Sequence, residues 1–154
     1  MSCSLIAPAE FEPDAGPVPP PYIVWESAFP PFFPTLSYNE RDVAVFTVTV
    51  GHADPSRLLR VRFCARETAE SAFILVNTEK LVEPTPTKTL ERKPVSTDEF
   101  NICTLFVGSD PSATHYLYVV VTDGAFRVPN VGCDVSPGAG YDMAGWSFRC
   151  DKPK

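Results

Sequence analysis

Apolar and polar residues alternate clearly in three runs of the chain. In residues 114–124, Thr-His-Tyr-Leu-Tyr-Val-Val-Val-Thr-Asp-Gly, Leu117, Val119 and Val121 share one face of an extended segment. Tyr116, Tyr118, Val120 and Thr122 share the other. β-Branched and aromatic residues on both faces suit a central, well-covered strand. In residues 43–50, Ala44, Phe46, Val48 and Val50 fall together, opposite Val43, Val45, Thr47 and Thr49. In residues 58–64, Leu59, Val61 and Phe63 point one way, and Arg60 and Arg62 are expected in water, as in a half-exposed antiparallel strand. Gly51-His-Ala-Asp-Pro-Ser56 supplies the turn between the second and third runs.

Weaker patterns predict further short strands at 22–25, 73–76, 100–107, 125–128 and 146–150, the last placing Trp146, Phe148 and Cys150 on one face. Phe29-Pro-Pro-Phe-Phe-Pro34 holds three prolines and is barred from a central ladder. It reads as an edge or packed loop whose rings cover one end of the core, or else form an exposed partner patch. Residues 80–97 carry three prolines and six charges and read as the longest loop or an irregular edge. Residues 132–145 read as a Gly-rich loop. No window repeats apolar residues at helical spacing over three turns. About seven strands with regular turn signals and no crossover helix predict an all-β fold, an immunoglobulin-like antiparallel β-sandwich over residues 22–154. A small barrel or jelly roll is the rival. Residues 1–21, rich in Pro and Ala, read as a disordered, semi-rigid spacer.

Composition narrows the function classes. The 154 residues can bury a core without cross-links, and Pro, at 17, is about twice its usual share. A net charge of −6 disfavours nucleic acid and anionic lipid as partners. No apolar run reaches the ~18 residues of a membrane span. A chain opening Met1-Ser2 leaves no room for a signal peptide, so it is cytoplasmic or its sequence has been trimmed.

Five cysteines bear on that choice: Cys3, Cys64, Cys103, Cys133 and Cys150. None is spaced Cys-x-x-Cys, which leaves zinc and thioredoxin chemistry without support. Setting Cys3 aside, four remain, either as scattered thiols or as two bridges in one of three possible pairings. Cys64 ends one strand and Cys103 lies in another, so these two are expected to pair. Cys133 and Cys150 flank the flexible Gly-rich loop and are expected to form the second bridge.

Candidate chemistry is sparse. His52 and Asp54 lie on one turn and can share a metal, but no further ligand is near. Asp54, Asp110 and Asp123 sit in turns, as calcium ligands do, without the dense run of an EF-hand. His115 reads as a hydrogen-bonded corner residue. No Gly-x-Ser-x-Gly turn accompanies a histidine, and Gly138-Ala-Gly140 lacks the lysine and helix of a phosphate loop. The expectation is therefore no catalytic, cofactor or metal residues.

Two stretches resemble a known family. Thr47-Val-Thr-Val-Gly-His-Ala-Asp-Pro-Ser-Arg-Leu-Leu-Arg-Val-Arg-Phe63 resembles the strand, Asp-Pro turn and strand of bacterial immunoglobulin-like, cadherin-like and polycystic-kidney-type repeats. His115-Tyr-Leu-Tyr-Val-Val-Val-Thr-Asp-Gly124 resembles their penultimate strand, with His115 at the position of a corner residue. Cys3-Ser-Leu-Ile followed by Pro-rich sequence is similar to the mature start of bacterial, particularly myxobacterial, lipoproteins. That resemblance implies a lipid on Cys3 and a spacer holding the domain off a membrane. The resulting expectation is a non-catalytic module of the cell envelope, or a secreted one, with a binding or structural role and an unidentified protein or envelope partner. Contact with the membrane would run only through Cys3. A phage or virus structural domain and a small β-sandwich hydrolase are the alternatives.

Overall fold

The computed structural model describes residues 18–84, 93–106, 109–110, 112–128 and 131–151. The expectations for Cys3 and the rest of residues 1–17 fall outside these. Among the described residues nine strands form two facing sheets: β1 (Tyr22–Phe29), β2 (Leu36–Asn39), β3 (Thr47–Gly51), β4 (Leu59–Arg66), β5 (Ile74–Leu75), β6 (Lys80–Val82), β7 (Lys93–Ser96), β8 (His115–Thr122) and β9 (Tyr141–Asp151). One sheet runs β1-β3-β7 and the other β2-β9-β8-β4-β5, with β6 also on β4. Lettered in chain order, β1, β3 and β7 stand as A, B and E. Strands β4, β8 and β9 stand as C, F and G, which is the immunoglobulin arrangement.

The three alternating runs form the frame. Strand β8 lies between β4 and β9, paired to β9 along its whole length and to β4 from Tyr116 to Thr122. Leu59, Val61, Phe63, Leu117, Val119, Val121, Trp146 and Phe148 project inward, against Phe46, Val48 and Val50 from the smaller sheet. Trp146 sits at the centre, 5.0 Å from the Phe46 ring and 4.6 Å from Phe32. Its indole Nε1 donates to the Pro30 carbonyl at 2.7 Å, so the one polar atom of the ring is satisfied where it is buried.

The structure corrects several expectations. The larger sheet is mixed, because β2 pairs with β9 in parallel. The expected loop at 80–97 contains β6 and β7. Strand β7 carries Pro94 because it is the edge of its sheet, where a missing N–H costs no ladder bond. The described part of the expected strand at 100–107, residues 100–106, is not a strand. Phe100 makes an isolated bridge to Ala44, and Asn101 then caps a 3-10 turn, Ile102–Thr104, by accepting from the Cys103 N–H. The expected strand at 125–128 is reduced to an isolated bridge, Phe126 to Val135, with backbone bonds from Arg127 to Asp134 and from Ser136 to Ala125. The aromatic-proline segment is split. Phe32 is buried, while Phe29 and Phe33 are 70% and 75% exposed, and the bonds Phe29–Pro30 and Phe33–Pro34 are cis.

All four cysteines of the described residues are in disulfides, but the pairing is not the expected one. Cys64 bonds Cys133 and Cys103 bonds Cys150. Cys64 alternates with Phe63 and therefore leaves β4 on its outer face, where the segment carrying Cys133 lies. Cys150 has the parity of Trp146 and Phe148, and the 3-10 turn packs beside the β2 end of that sheet.

Arg62 is a second correction. It is 3% exposed rather than solvated. The register of β4 is as expected, since Leu59, Val61 and Phe63 are buried. The outer face is covered as well, by the chain between β8 and β9.

Candidate functional site

Both histidines of the chain are buried and held in structural bonds. The Nδ1 of His52 accepts the Asp54 backbone N–H at 2.8 Å. The ring proton is then on Nε2, which faces Asp123 Oδ2 at 3.3 Å. Asp123 Oδ1 accepts the Gly140 N–H at 2.9 Å, so His52 and Asp123 clip the start of the β8–β9 connection to the β3–β4 turn. The Nδ1 of His115 donates to the Glu67 carbonyl at 2.9 Å, and its Nε2 lies 3.3 Å from Ser109 Oγ. Its ring stacks on Phe106 at 4.9 Å, with Phe148 at 5.6 Å.

The turn carboxylates are also engaged locally. Asp54 accepts from the Ser56 hydroxyl at 2.6 Å and the Ser56 N–H at 3.0 Å. Those two bonds, the hydroxyl first, hold its carboxyl below the ordinary carboxylate range, with a smaller contribution from Arg57. Asp110 accepts from the Ser112 N–H and hydroxyl, both at 2.8 Å. The side chains of His52 and Asp54 are therefore not brought together as a ligand pair. Among the described residues no three His, Cys, Asp or Glu side chains gather as a metal site.

The structure instead assembles a site on the outer face of the larger sheet. Register sets Arg66 opposite Tyr116, Tyr118 opposite Gly145 and Val120 opposite Met143, which places these side chains on one face. The Tyr118 ring lies over Gly145, where a Cβ would come within 2.7 Å of it, so glycine is what lets the ring lie flat. Tyr116 and Phe73 flank Tyr118 at 6.3 and 5.6 Å. The Arg66 guanidinium lies 3.6 Å over the Phe73 ring, a cation–π contact. Two depressions open beside this row. One, of about 410 Å³, is lined by Arg66, Phe73, Arg127, Asp134, Tyr141 and Met143 among others. The other, of about 240 Å³, lies between Phe33, Tyr116 and Tyr118.

Sequence reasoning missed this face. The signal was available in the second set of alternating positions in β4, β8 and β9, which carries Arg66, Tyr116, Tyr118, Tyr141 and Met143. Those positions gain meaning only once the three strands are known to be neighbours.

No family model matches the chain, and neither does any curated protein or solved structure.

Proposed function

We propose that the protein is a non-catalytic, immunoglobulin-like module of the bacterial cell envelope, held there by a lipid on Cys3, with a binding role. A secreted form of the same module differs only in lacking the lipid. The observation that carries the reading is the use of Cys64, Cys103, Cys133 and Cys150 in two bridges. Bridges of this kind persist in oxidising compartments and are rare in reducing cytosol. A binding role is favoured over hydrolysis because both imidazoles are buried in structural hydrogen bonds, leaving neither as a free base. The aromatic outer face is a surface for recognition.

The test is mass spectrometry of the protein isolated from its native host, mapped without reduction. The expected result is an N-terminal peptide that begins at Cys3 and carries acyl chains, together with the two bridged peptides. An N-terminus upstream of Cys3 with a free thiol would remove the anchor. Four free thiols would remove the envelope as well.

A further inference from the structure

Arg66 and Arg127 differ from Arg60, Arg62 and Lys80, the cations of β4 and β6 that hold acidic partners. Arg60 and Arg62 both pair with Glu79, and Lys80 pairs with Asp98. Arg66 and Arg127 form no ion pair among the described residues, although the chain carries 19 acids against 13 bases. Arg66 donates from Nη1 to the Ala69 carbonyl at 2.9 Å, and its Nε is buried without a partner. Arg127 is exposed and tied only through its backbone N–H, which donates to the Asp134 carbonyl at 2.7 Å. Both line the 410 Å³ groove, whose other walls include Phe73, Tyr141 and Met143.

We propose that this groove binds an acidic peptide segment of a partner protein, with an aromatic side chain seated between two carboxylates. The inference rests on reading the protein as a binding module and gives that module a ligand class. Charge complementarity argues for it. Two unpaired guanidinium groups in a protein of net charge −6 mark the groove as locally cationic, and guanidinium is suited to carboxylate. The apolar walls take the ring. Asp134, also on the wall, partly offsets the two guanidinium groups and weighs against a dense, multiply charged anion such as a phosphate.

The test titrates the full-length protein with acetyl-Glu-Phe-Glu-amide and follows the Met143, Val120 and Val135 methyl resonances. Saturable shifts in the ~millimolar range are expected. Acetyl-Gln-Phe-Gln-amide should bind about fivefold more weakly, as should Arg66→Gln and Arg127→Gln proteins with the acidic peptide. Arg127 is exposed, so its variant carries the test even if Arg66→Gln disturbs the fold. Equal affinity for the two peptides, unaltered binding by the Arg127 variant, or no saturable shift at these methyls overturns the proposal. Shifts confined to Trp25 and Phe33 would also overturn the groove while leaving the binding role intact.

Discussion

The larger sheet is covered throughout on its inner side and in part on its outer side, and the two covers are held by different means. On the inner side, Phe63, Leu117, Val119 and Trp146 meet Phe46, Val48 and Val50 of the smaller sheet. That cover is itself a hydrogen-bonded ladder, so apolar contact alone completes the burial. On the outer side, Cys64 and Val120 meet Phe126 and Cys133, carried by a segment with a single bridge between Phe126 and Val135. Its backbone has few ladder partners, and buried carbonyls must be satisfied some other way. Arg62 does this. It donates from Nη1 to Val128 O at 2.9 Å and Gly132 O at 3.1 Å, stacks 4.2 Å over Phe126, and is balanced by Glu79 at 3.0 Å. The Cys64–Cys133 bridge fixes the same segment covalently. A regular cover is held by packing, whereas an irregular one needs a charged donor and a cross-link.

The largest expected effect is on the inner side. Trp146→Ala removes the central ring and leaves the Pro30 carbonyl without its donor, at a cost of about 3–5 kcal/mol. Urea unfolding at unchanged slope should show it as a lower midpoint. A loss under ~1 kcal/mol would mean that the sandwich does not depend on this layer.

Removing the outer bridge with Cys64→Ala and Cys133→Ala together opens a loop of sequence separation 69. Chain entropy sets a ceiling of about 4 kcal/mol on the loss. The comparison sharpens in hydrogen exchange. Amides of residues 126–128 and 131–135 should lose protection while those of 117–121 keep theirs. Uniform loss across both would show that the two covers unfold as one unit.

Arg62→Ala tests the polar half of the outer cover. It strips donors from Val128 and Gly132 and leaves Glu79 with Arg60 alone, so about 2–3 kcal/mol is expected. The alternating pattern alone would assign a solvated arginine under about 0.5 kcal/mol. Equilibrium unfolding separates the two values, and the smaller one would make Arg62 a passenger.

Arg62 also shows where the sequence is legible and where it is not. Alternation in residues 58–64 reports which side chains share a face, and that reading holds through Leu59, Val61 and Phe63. It does not report what covers the second face, because that cover is irregular chain some 65 residues further on. The cysteines failed for a related reason. Proximity in sequence suggested Cys133 with Cys150, whereas parity set Cys64 outward and Cys150 with Trp146, on opposite sides of one sheet. Pro94 left residues 80–97 legible only as a loop or an irregular edge, because a proline permitted at an edge gives no strand signal of its own. The aromatic face around Tyr118 was written in the second positions of β8 and β9 and became visible only with their pairing. Arg66 and Arg127 are 61 positions apart, and no local pattern joins them.

The smallest expected effect lies at the β3–β4 turn, where both covers meet. The N–H of Asp54 holds the ring of His52, whose other nitrogen faces Asp123 at the start of the outer segment. The Asp54 carboxylate is held in turn by Ser56, and its pKa is lowered chiefly by the Ser56 hydroxyl. A carboxyl depressed in the folded state contributes stability that is complete above its unfolded value. That contribution is lost as pH falls through the lower folded value. Ser56→Ala deletes the hydroxyl and keeps the N–H bond, so the Asp54 midpoint should rise part of the way to the ordinary value. Carboxyl ¹³C shifts followed through acid would record it. Asp54 is exposed to solvent, so the unfolding midpoint at neutral pH should hardly move. If the Asp54 midpoint is unchanged, the serine does not set it. If exchange in residues 126–128 and 131–135 accelerates instead, this turn belongs to the outer cover's support.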